Sequence, residues 1–204
     1  MGNLVTARVT IRGTRPLLQH EFGEDAIPLE AVERHGVAGN DPTEWKRTCM
    51  VDENGRLYVK DTNLFTCLRD GAKNIKKGRS SIQAALVSTL LVMDQVVHLN
   101  RSLPKDGDPP KKAYSAPVYI DVDGVRNPAT GGRNVRYRLA ASPGWECTFM
   151  IQWDKTIVSR EQMQLVLRDA GTLQGLGNGR KIGKGRFVVT NYEELPDAEI
   201  ASAA

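Results

Sequence analysis

Residues 175–187 read GLGNGRKIGKGRF, and what flanks them limits this chain more than any other feature. Upstream, Ser159 with Gln162 three residues on is a capping-box pattern. Met163, Val166, Leu167 and Ala170 then recur at helical spacing, so a helix is expected to run to Gly171, placed as a C′ glycine. Downstream, RFVVTNY (186–192) predicts a strand. The order is therefore helix, glycine loop, strand. A dinucleotide-binding turn needs the opposite order, so that pyrophosphate meets a helix N-terminus. A P-loop needs Gly-Lys-Ser/Thr opening a helix, whereas Gly183, Lys184 and Gly185 run into a strand. Both cofactor classes fail on polarity, and no cofactor is expected. What remains is a loop whose glycines, Gly175, Gly177, Gly179, Gly183 and Gly185, admit close approach. Its Arg180, Lys181, Lys184 and Arg186 suit phosphate. The competing reading is a glycine-rich turn with merely solvated basic side chains.

The rest of the chain supplies strands and one more helix. In LVTARVTIRG (4–13), Val5, Ala7, Val9 and Ile11 alternate with Thr6, Arg8, Thr10 and Arg12, which predicts a strand with one buried face. Residues 21–54 read as an irregular insertion with a short helix at 28–34. GRLYVKD (55–61) is an extended lead-in, and Asp61 or Thr62 can cap a helix over 63–77. Its apolar stripe is Leu64, Leu68, Ala72 and Ile75; its polar face carries Arg69, Lys73, Lys76 and Lys77. A helical turn at 80–86 and a buried strand at 90–99 follow. Residues 102–115 read as a mobile loop. PVYIDVDG (117–124) and NVRYRLAA (134–141) form a hairpin arm with Arg126, Arg133, Arg136 and Arg138. WECTFMIQW (145–153) alternates as a late strand. Stripped of insertions the order is βαββαβ, an α+β, ferredoxin-like or RRM-like pattern. A single domain over 1–204 is expected, with insertions at 21–54 and 101–143.

Charge and composition narrow the function classes. The net charge is only +4, but basic residues cluster at 69–79, 126–138 and 180–186, which implies a positive face. The longest apolar run, 84–93, is too short to span a bilayer, and no secretory pattern opens the chain. The start MGNLVT fits an N-myristoylation pattern but reads better as the approach to a strand. Three widely spaced cysteines, Cys49, Cys67 and Cys147, form no CxxC pair and suit a reducing cytoplasm. Aromatic residues are only 6%, which argues for grip on a sugar–phosphate backbone over base stacking.

The helix–GLGNGRKIGKGRF–strand unit closing a βαββαβ chain resembles the RAMP superfamily of CRISPR-associated RNA-binding proteins, nearest to the effector-backbone branch. VTIRGTRPLLQH resembles the first strand and turn of that branch, and RLYVKDTNLFTCLRDGAKNI its lead-in and first helix. The resemblance implies sequence-independent, non-catalytic binding of single-stranded guide RNA by copies stacked as a filament beside other effector subunits. It implies RNA contacts from the loop residues Gly175, Gly177, Gly179, Arg180, Lys181, Gly183, Lys184, Gly185 and Arg186. The arm arginines Arg126, Arg133, Arg136 and Arg138 join them by analogy of position. Arg12 on the exposed strand face and His20 after that strand complete the candidate set. The alternatives are a metal-independent endoribonuclease, with His20 as the candidate acid or base, and a single-stranded DNA-binding protein of a phage or mobile element. His35 and His98 have no diagnostic partners. Asp121 and Asp123, two apart on one strand face, read as turn chemistry before they read as a Mg²⁺ site.

Overall fold

The computed structural model describes residues 2–23, 41–126 and 131–196. The expected helix at 28–34, His35, the arm tip at 127–130 and the end of the acidic tail lie outside them. In chain order, strands β1 (Leu4–Gly13) and β2 (Leu17–Gln19) precede the short helix α1 (Glu44–Thr48), and β3 (Arg56–Lys60) leads straight into α2 (Asp61–Gly71). A tight turn pairs β4 (Lys76–Lys77) with β5 (Ser80–Ser81), and α3 (Gln83–Val87) brings the chain to β6 (Leu91–Val92) and β7 (Val96–Ser102). The hairpin β8 (Val118–Arg126) and β9 (Arg133–Ala141), then β10 (Glu146–Asp154), α4 (Arg160–Asp169) and β11 (Phe187–Leu195) follow.

The central sheet has the order β11-β1-β10-β6, antiparallel throughout. With α2 between β1 and β6 and α4 between β10 and β11, this is the split βαββαβ arrangement of a ferredoxin-like fold. Alternation decides the register. Val5, Val9 and Ile11 face Trp153, Phe149 and Cys147 across the ladder, and all six are buried. A one-residue slip would turn every one of them to water, at about 1.5–3 kcal/mol for each large side chain. Leu64, Cys67 and Leu68 of α2 and Met163, Val166 and Leu167 of α4 join the same apolar cluster. The Ser159–Gln162 capping box forms, with Ser159 N–H donating to Gln162 Oε1 at 3.0 Å and Gln162 N–H to Ser159 Oγ at 3.3 Å.

Three expectations change. The helix expected over 63–77 ends at Gly71, followed by a short 3₁₀ turn and the β4–β5 hairpin, so Lys76 and Lys77 are not helical. A Cβ at Gly71 would lie 2.8 Å from the Val166 carbonyl; the close crossing of the two helices fixes the glycine. The strand expected over 90–99 is broken: Met93 to Gln95 leave the ladder, and the Asp94 carboxylate accepts the Met150 N–H at 2.6 Å instead. Gly171 does not stop the last helix, which continues as a wider π turn through Gln174. Gly171 is there because a Cβ would overlap the Phe187 carbonyl.

A second sheet, β2-β9-β8, carries the arm. Its base is buried from Val118 to Asp121 and from Arg138 to Ala141, and its outer half is solvated. β2 joins this sheet through Leu17–Ala141 and Gln19–Leu139 pairs. The residues just before and within β2 are what the glycine loop docks on.

Candidate nucleic-acid interface

The glycine loop is held by its own backbone. Gly185 N–H donates to the Pro16 carbonyl at 2.7 Å, Leu176 N–H to Gly185 at 2.9 Å, and Asn178 N–H to Leu18 at 2.8 Å. Leu176 plugs the apolar core. Gly175, Gly177, Gly179, Gly183 and Gly185 all have φ between 69° and 82°, a region that disfavours side chains. A Cβ at Gly177 would overlap the Leu18 carbonyl, and one at Gly185 the Leu176 carbonyl. Close approach is therefore explained first by the protein's own chain, the loop's backbone and β2. Only at Gly183 is there open space within 4 Å. Between Gly179 and Gly183 lies a single 3₁₀ turn, Arg180–Ile182, in which Lys181 and Ile182 are exposed.

The expected cations divide sharply. Arg180 is turned away to Asp70 of α2 at 3.2 Å, and the same carboxylate also binds Arg69 at 3.1 Å and Lys73 at 3.0 Å. Burial opposes the charge on Asp70, but hydrogen bonds from Lys73 and Arg69 outweigh it and hold its carboxyl below the usual range. Arg186 is half-buried, and its Nη1 is enclosed without a partner among the described residues. Arg138 is only 4% exposed and donates to Asn178 Oδ1 at 2.8 Å. Arg136 donates to Glu44. Lys181 and Arg126 are exposed, Lys184 is half-buried, and none of the three makes an ion pair among the described residues. Arg133 is exposed near the arm tip.

The structure brings most of these groups to one cleft of about 490 Å³. The arm supplies Asp123, Gly124, Val125, Arg126, Arg136 and Arg138. The loop supplies Asn178, Gly179, Lys181 and Ile182, and His20 lines the cleft with them. Behind this wall sits Glu44, at 9% side-chain exposure. It accepts from His20 Nε2 at 3.2 Å, from Tyr137 N–H at 3.0 Å and from Arg136. Burial alone would raise its pKa, yet the His20, Tyr137 and Arg136 hydrogen bonds prevail and set it at about 2.

Arg12 lies elsewhere. On the open sheet face Arg12 meets Glu146 at 3.6 Å and Arg8 meets Glu193 at 3.2 Å, and Thr10 bonds Thr148. That face pairs its arginines with glutamates, and Arg12, expected among the RNA contacts, does not line the cleft. Sequence reading also missed Asn178, Glu44 and Asp70. Asn178 could have been suspected from its place between two glycines; Glu44 gave no signal. Asp121 is buried while Asp123 is exposed, and the described residues hold no group of three His, Cys, Asp or Glu side chains placed for a metal.

No protein-family model and no curated protein sequence matches the chain. The fold recurs in a solved structure. A chain of the cryo-EM structure of the Type III-B Cmr-beta bound to cognate target RNA superposes with a TM-score of 0.54 at 15% identity. The match covers 94% of this chain and 61% of that one. At that identity it establishes a shared fold. No helix among the described residues is long and apolar enough to cross a membrane.

Proposed function

We propose that this chain binds single-stranded RNA in the cleft between arm and glycine loop, as a RAMP-like backbone subunit of a cytoplasmic, CRISPR-type ribonucleoprotein. Copies assemble along the RNA beside other effector subunits, and the binding is non-catalytic. Phosphates carry the grip, so affinity along the strand is independent of sequence and falls with salt. The single observation behind this reading is the convergence of Arg126, Arg136, Lys181 and His20, from three separate stretches of chain, on one open cleft. The neighbour's fold supports it, since that chain comes from a Type III-B Cmr-beta bound to cognate target RNA.

The test is what the purified protein retains. The 260-to-280 nm absorbance ratio is expected to exceed that of protein alone and to drop after ribonuclease treatment. Loss of the excess with deoxyribonuclease instead would favour the DNA-binding alternative. A nucleic-acid-free preparation that also ignores labelled single-stranded oligonucleotides would sink both. One contact favours a second reading: Glu44 holds His20 on the cleft wall at 3.2 Å, as a general base is held by an orienting carboxylate. Cleavage of labelled RNA in EDTA, abolished by His20→Ala with binding retained, would establish that endoribonuclease activity.

A further inference from the structure

The cleft contains one group that a phosphate grip does not need. The Asp123 carboxylate lines it and is exposed, yet makes no ion pair or hydrogen bond among the described residues. Its cross-strand partner in the β8–β9 register is Arg136, but that guanidinium is drawn off to Glu44. An unpaired carboxylate repels phosphate at the very place where Arg126 and Lys181 attract it. The two apolar groups of the cleft are also out of place for a phosphate site. Val125 on the arm is 39% exposed and Ile182 on the loop is 65% exposed, and both line the cleft.

We infer that the cleft holds one unstacked nucleobase, a guanine, between Val125 and Ile182, with its edge read by Asp123. This rests on the RNA-binding reading above and adds a preference at one nucleotide to a grip that is otherwise indifferent to sequence. The two aliphatic side chains cover the base faces and remove apolar surface from water. An ionised carboxylate only accepts hydrogen bonds. Guanine alone among the common bases sets two adjacent donors, N1–H and the 2-amino group, on its Watson–Crick edge, and so meets both carboxylate oxygens at once. Adenine and cytosine set a ring-nitrogen acceptor beside their amino donor, and uracil flanks its one N–H with two carbonyls. Bases splayed from single strands are read at this edge. The flanking phosphates fall to Arg126 and Lys181 at the rims, away from the carboxylate.

The test is anisotropy titration of the full chain with short uridine oligonucleotides that differ at one central position. Guanosine there should bind about tenfold more tightly than uridine or adenosine, in the range one bidentate base contact confers. Inosine, which lacks the 2-amino group, should fall between. In Asp123→Asn the guanosine advantage should vanish while the all-uridine oligonucleotide binds as well or better, a gain that structural damage would not produce. Equal binding of guanosine, inosine and uridine by the unmodified protein, or a preference that survives Asp123→Asn, overturns the guanine site and leaves RNA binding standing. Failure to bind any of the oligonucleotides overturns both.

Discussion

Arg138 donates through Nη1 to Asn178 Oδ1 at 2.8 Å, and this bond ties the base of the arm to the glycine loop. Asn178 is held from its other end as well, its N–H on the Leu18 carbonyl. The cleft therefore has two walls fixed to each other. Asn178→Ala should leave a buried guanidinium without its acceptor and lower stability by about 1–3 kcal/mol. Urea denaturation checks this. Because Arg138 is buried, the salt dependence of RNA binding in folded Asn178→Ala should not change.

Two glycines of the loop should respond very differently to alanine. At Gly185 a Cβ would overlap the Leu176 carbonyl, within the backbone pairing that closes the loop. Gly185→Ala should unfold or displace the loop, seen as lost protection of the Leu176 amide in hydrogen exchange. At Gly183 nothing lies within 4 Å, and only the positive φ of 82° opposes a side chain. Gly183→Ala should cost about 1–2 kcal/mol and keep that amide protected.

Glu44 makes stability depend on acid. Its folded pKa of about 2 lies below the ordinary 4.5, so the ionised form is favoured by folding. That contribution is complete above about pH 5 and is lost as the pH falls from about 5 towards 2. It amounts to at most about 3 kcal/mol. Thermal melts across this window should show a drop that is shallower in Glu44→Gln. The same variant releases Arg136 from its carboxylate, so at neutral pH it should be less stable than the unmodified chain and bind RNA no more weakly.

Much of the fold could be read from local pattern. The alternation of Val5 to Ile11 and of Trp145 to Ile151 fixes two central strands, and the Ser159 box fixes the start of α4. The helix–loop–strand polarity that excluded nucleotide cofactors holds in the structure. What escaped reading depends on distant partners. Position 71 must be glycine because α4 crosses close to it, and Gly171 lies against Phe187. Arg136 finds Glu44 across 92 residues of sequence, and Arg180 finds Asp70 across 110. No spacing rule marks such pairs, so the basic side chains all looked equally free. The arm and loop arginines include structural groups, and the cations left for a ligand are fewer than their number suggests.

On the proposed function the cleft, and not the open sheet face, meets the nucleic acid. The most direct measurement is the log–log salt dependence of single-stranded RNA affinity for two double variants. In Arg126→Ala/Lys181→Ala, affinity should fall about tenfold or more and the slope should flatten by about 1.4, the share of two single-strand phosphate contacts. In Arg8→Ala/Arg12→Ala, whose guanidinium groups already face Glu193 and Glu146, both should stay as in the unmodified chain. A flattened slope in the sheet-face variant with an unchanged one in the cleft variant would place the RNA on the sheet face and overturn binding in the cleft.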